Sequence, residues 1–128
     1  MQTRQVEKSE WPAFLDSFSR QHEGWLLKLE ILNPEIGAQV EGTGLVLEGL
    51  TDEWDEISGN TITIMAGRTP DDHVTHSISQ PTEVSLEQTD EGADVALSIK
   101  SADGTTALLS LRATVSPPTV DDVVLNRC

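Results

Sequence analysis

The sequence predicts a mainly β (α+β) domain: one N-terminal helix, then a bent antiparallel sheet or small barrel of five to six strands. Three observations carry this. Apolar residues recur at helical spacing only near the start, at Trp11, Phe14, Leu15 and Phe18. Period-two alternation dominates the rest, as in Thr61-Ile62-Thr63-Ile64. Clusters of Gly, Pro, Asn and Asp punctuate the alternating runs at short intervals. A chain of 128 residues suits one domain with a sizeable core, placed at 1–113. The remainder, 114–128, has two prolines and no clear period, and is expected to be a partly flexible tail.

Residues 2–8 are polar and fit either a short strand or a loose lead-in. Ser9 is a plausible N-cap, and Pro12 is tolerated in a first turn, where its missing N–H has no partner to lose. The helix is expected from about Glu10 to Glu23, with Gly24 ending it and His22 in the last turn, where a positive charge suits the dipole. Trp25, Leu27, Leu29 and Ile31 mark a strand stopped at Asn33-Pro34. The next strand opens at Gly37 and is expected to turn Ala38 and Val40 inward. Gly42 and Gly44 within it signal a bulge or sharp bend before Leu45 and Leu47. Residues 51–60 read as a loop with Trp54 and Ile57 folded back on the core. Asp52, Glu53, Asp55 and Glu56 lie there, but without the alternating spacing of a calcium loop.

The stretch from Thr61 to Gln88 holds the candidate chemistry. After the Ile62/Ile64 strand, Gly67 to Asp72 forms a turn around Pro70. In the strand that follows, Val74, His76 and Ile78 share one face, and His73, Thr75, Ser77 and Ser79 the other. Pro81 marks an edge, bulge or bend before Val84 and Leu86. Arg68, Asp71, Asp72, His73 and His76 form a candidate ligand or interaction surface, with Arg68 steering an anion or pairing with Asp71 or Asp72. A shared metal for His73 and His76 needs a bulge between them, because an odd spacing on a strand sends the rings to opposite faces. The plainer reading makes His76 a core or interface residue and His73 a solvated one.

The last hairpin can be placed by register. A two-residue Asp103-Gly104 loop sets Leu97 against Ser110. A three-residue loop, Ala102 to Gly104, sets Leu97 against Leu109 and Val95 against Leu111, keeping the apolar sets together. The three-residue loop is therefore predicted.

Composition excludes several functions. The net charge of −14 opposes nucleic-acid phosphates and anionic membrane surfaces. With no tyrosine and five other aromatics, base stacking is poorly served. The single cysteine, Cys128, rules out an internal disulfide or a Cys-based zinc site and suits a reducing cytoplasm. The polar N-terminus has no apolar core of a signal peptide, and no apolar run approaches membrane-spanning length. No phosphate loop, nucleophile elbow or zinc-protease helix motif is present.

The segments WPAFLDSFSRQHEGW, IGAQVEG, RTPDDHVTHSI and SADGTTALLSLR resemble a family of short bacterial proteins known only as a domain of unknown function. The resemblance runs from about Trp11 to Arg112 and implies a bacterial, cytoplasmic protein; it supplies no activity or catalytic residue. The order of elements is also similar to Sm-like and SH3-like small barrels, an analogy of shape that implies oligomerisation more than RNA binding in so acidic a chain. The expectation is a non-catalytic protein with no cofactor, acting through protein contacts or as a homo-oligomer, with no nucleic-acid or membrane partner. The alternative is a metal- or anion-binding protein, or an enzyme, built on the cluster from Arg68 to His76.

Overall fold

The computed structural model describes residues 1–57, 59–69 and 72–112, with backbone only at 68, 69 and 72. The tail prediction for 114–128 lies outside these residues. Strand β1 (Gln2–Val6) leads through a 3-10 turn (Lys8–Glu10) into helix α1 (Trp11–His22). Seven strands follow: β2 (Leu26–Asn33), β3 (Gly37–Asp55), β4 (Gly59–Thr69), β5 (Asp72–Ser79), β6 (Pro81–Gln88), β7 (Asp94–Ser101) and β8 (Thr106–Arg112). All eight strands join one antiparallel sheet in the order β1-β6-β7-β8-β2-β3-β4-β5. The sheet is not closed; β1 and β5 are its edges.

The count of five to six strands is thus too low. Residues 2–6 form a full edge strand on β6. Of residues 51–60, expected as a loop, 51–55 instead extend β3 and 59–60 open β4. Pro81 does mark a bend: β5 lies at one edge and β6 beside the other, yet only Gln80 separates them. Gln80 turns the corner at φ 52°, its N–H bonded to Asn60 O (3.0 Å) and its carbonyl accepting from Ala102 N (3.0 Å). The sheet must therefore curl until its two halves meet at this corner.

Inside the curl lie Leu27, Leu29, Leu45, Leu47, Ile62, Ile64, Val84, Leu86, Leu97, Ile99 and Leu109. Helix α1 covers this core with Trp11, Leu15 and Phe18, its predicted face, and Trp11 Nε1 donates to Val6 O (3.0 Å). The helix begins one residue later than predicted, and Ser9 sits in the 3-10 turn rather than capping. Gly24 takes the left-handed conformation (φ 87°) that ends the helix. Ser19 Oγ accepts from Leu50 N (2.8 Å), fixing α1 on β3.

The glycine-marked bend in β3 is a double irregularity. Between Leu27 and Leu29, and again between Leu29 and Glu30, β3 carries one residue more than β2. The second step flips the outer part of the hairpin: Gln39 falls opposite Ile31, and Val40 opposite Glu30. Ala38 and Val40 are exposed as a result, contrary to the inward assignment. The β7–β8 hairpin follows prediction: Leu97 pairs with Leu109 and Ile99 with Ala107, the loop is Ala102 to Gly104, and Gly104 has φ 91°.

Candidate functional site

The register of β5 on β4 runs without a shift from His73 (opposite Gly67) to His76 (opposite Ile64). The two rings therefore leave opposite faces of the sheet, and the bulge that a shared metal needs is absent between them. The irregularity in this pair falls between Gly67 and Thr69 instead. His73 is exposed, and its Nδ1 lies 2.7 Å from Glu48 Oε2. Glu48 occupies the extra position of a bulge between Leu47 and Gly49 on β3. His76 is half-buried on the face of Val74 and Ile78, as the alternation predicts. Arg68 and Asp72 lie at the facing ends of β4 and β5, and Asp71 lies outside the described residues. Among the described residues, no group of three or more His, Cys, Asp or Glu side chains is placed to hold a metal ion.

His76 lines a cleft of about 240 Å³ with Ser101, Asp103 and Thr105. Histidine, serine and aspartate together invite comparison with a nucleophilic relay, but the connections are wrong for one. Asp103 accepts the Ser101 hydroxyl directly and also the Thr105 N–H (2.8 Å). These bonds, led by that from Ser101, hold the Asp103 carboxyl below the ordinary carboxylate range. In a relay the carboxylate orients the imidazole, which in turn takes the serine proton. Here the carboxylate closes a hairpin loop.

The sequence reading missed one constellation. His22 is only 3% exposed. Its Nδ1 lies 2.8 Å from Phe18 O and its Nε2 3.1 Å from Asp94 Oδ2. The ring lies against Phe18 (centroids 4.2 Å apart) and meets Trp25 edge-on (4.7 Å). Gln88 Nε2 donates to the other oxygen of Asp94 (2.9 Å). The available signal was spacing: His22 continues the buried line of Trp11, Leu15 and Phe18. The pair bolts the helix end to the start of β7. Beside it, a groove of about 520 Å³ separates α1 from β1 and β6. Arg4, opposite Leu86 on edge strand β1, faces this groove with its guanidinium 5.8 Å from the Phe14 ring centre. An inward charge of this kind protects an edge strand from pairing with another chain.

The largest departure from expectation is the β3–β4 arm. Leu50, Asp52 and Trp54 keep the inward phase of β3, opposite Ile64, Ile62 and Asn60. Among the described residues, β3 beyond Leu50 pairs only with β4, and its tip faces the Gln80–Pro81 corner across an open cleft. Trp54 is consequently 69% exposed and Ile57 97% exposed. The arm overhangs a cleft of about 410 Å³ whose opposite wall is the Gln80–Pro81 corner, with Lys8 at the rim. Glu53, Asp55 and Glu56 flank the two apolar residues, and Asp52 accepts from Asn60 Nδ2 (2.8 Å).

These features define a small, mainly β domain: one open, curled antiparallel sheet with a single covering helix. The chain belongs to the family of unknown function DUF5335, whose model matches residues 2–120. The match is wider than the resemblance read from Trp11 to Arg112 and takes in β1. No curated protein and no solved structure matches the chain. Among the described residues, no helix is long and apolar enough to cross a membrane.

Proposed function

We propose that this protein is a non-catalytic binding module that acts through protein contacts or self-association, in a bacterial cytoplasm. The observation that carries the reading is the exposure of Trp54 and Ile57 together at the end of the β3–β4 arm. Large apolar side chains grouped on a projecting element cost solubility and mark a contact surface. Trp in particular supplies much of the energy of protein interfaces where a partner covers it. The single cysteine suits the reducing compartment, and the net charge of −14 opposes nucleic acid.

The test combines sedimentation velocity of the purified chain with cross-linking in extracts of its source cell. Cross-links or self-association should map to the arm and disappear in Trp54→Ser/Ile57→Ser, with unchanged melting. Contacts that map elsewhere, or turnover of a small molecule that this variant leaves intact, would refute the reading.

A further inference from the structure

We propose that the arm's partner is an extended, positively charged polypeptide segment carrying apolar residues, seated in the cleft between the arm and the Gln80–Pro81 corner. The inference rests on the contact reading above and names the occupant.

Trp54 and Ile57 face a cleft of about 410 Å³, enough for two or three side chains and too small for a globular surface to enter. Its walls are the tip of the arm and the one-residue corner, and the bond from Gln80 N to Asn60 O (3.0 Å) joins them at its floor, which leaves a shallow groove open to solvent. Charge then selects the occupant. Glu56 and Lys8 line the cleft together, Glu53 and Asp55 lie on the other face of the arm, and the whole chain carries a net charge of −14.

A second copy of this chain would bring the same acids and a further net charge of −14 to the contact. Like charges brought together in a desolvated contact disfavour it. Nucleic acid and anionic lipid meet the same field. A segment with alternating basic and apolar residues satisfies both features. Its apolar residues cover Trp54 and Ile57. Its lysine or arginine side chains reach Glu56 in the cleft and, around the outer edge of β3, which has no partner strand beyond Leu50 other than β4 among the described residues, Glu53 and Asp55 on the other face. A guanidinium or ammonium can also lie over the exposed Trp54 ring.

The probe is a capped nine-residue peptide of alternating lysine and leucine, with a glutamate–leucine peptide as control. Calorimetry reads binding at low and moderate salt, and light scattering reads the oligomeric state of the same samples. The lysine peptide should bind and the glutamate peptide should not, with affinity falling as salt rises. Trp54→Ser should weaken binding by about tenfold or more, as expected for a central aromatic anchor. Glu53→Gln/Glu56→Gln should weaken it by about three- to tenfold, whereas the remote pair Glu23→Gln/Glu91→Gln should leave it within about twofold. Trp54 is exposed, so its variant folds, and its melting curve serves as the control.

Binding that survives Trp54→Ser, or falls equally with the remote pair, reports a diffuse field and overturns the proposal. A dimer that depends on Trp54, with no peptide binding, overturns the cationic partner and leaves the contact reading standing. A monomer that binds neither peptide overturns the proposal; if cross-links in extracts also avoid the arm, the contact reading falls with it.

Discussion

Uncoupling His22 from Asp94 gives the sharpest test of how the helix is held to the sheet. His22→Phe keeps a ring between Phe18 and Trp25 but removes both polar contacts, at 2.8 Å to Phe18 O and 3.1 Å to Asp94. It strands a carboxylate that is 17% exposed and, among the described residues, keeps the Gln88 amide as its side-chain partner. A hydrogen bond to a charged group contributes about 1.5–3 kcal/mol. Stranding a fully buried charge costs about 3–5 kcal/mol. Partial hydration of Asp94 moves the expectation for His22→Phe to about 3 kcal/mol, the low end of that range. Asp94→Ala removes the carboxylate and leaves the imidazole one partner, at a cost of about 2 kcal/mol. If the two groups act on one another, the double variant loses less than the sum, with a coupling of about 1–2 kcal/mol. Urea unfolding followed by tryptophan fluorescence measures all four corners of the cycle. Additivity within about 0.3 kcal/mol would refute the pairing, and so would an Asp94→Ala cost typical of a surface ion pair, under about 0.5 kcal/mol.

Four further outcomes are expected. Leu29→Ala, at a fully buried site, should cost about 3 kcal/mol, while Trp54→Ala should stay within about 0.5 kcal/mol despite removing more atoms; thermal melts compare them. Gly104→Ala should destabilise more than Gly92→Ala in the same assay: both have φ 91°, but only at Gly104 would a Cβ meet Pro34 Cγ, at 3.2 Å. Because the folded state lowers the Asp103 pKa, its stabilising contribution is complete above the unfolded value of about 3.9 and is lost as pH falls through the lower folded value; Asp103→Asn should remove this part of the acid-induced loss, read by carboxyl NMR titration and unfolding at each pH. Zinc should leave the melting temperature unchanged, since His73 and His76 point to opposite faces; a metal-dependent rise would show that the chain binds it elsewhere.

Much of the fold was legible because it is local. The helix face from Trp11 to Phe18 needs only its own periodicity, and so does the opposition of His73 and His76 on β5. The β7–β8 register follows from one loop and the demand that Leu97 and Leu109 share a face. Those same parity arguments failed where a distant strand set the phase. Val40 faces outward because β2 opposes Glu41 with no residue of its own, and one unpaired residue reverses every side chain beyond it. Trp54 has the right parity to be buried, yet burial needs an opposing layer, and the arm runs past the end of the core. The pairing of β1 with β6, and of His22 with Asp94, joins residues whose local sequences carry no mark of one another. Alternation sets which way a side chain points from its own strand. Only the curl of the sheet through Gln80 determines what lies on the other side.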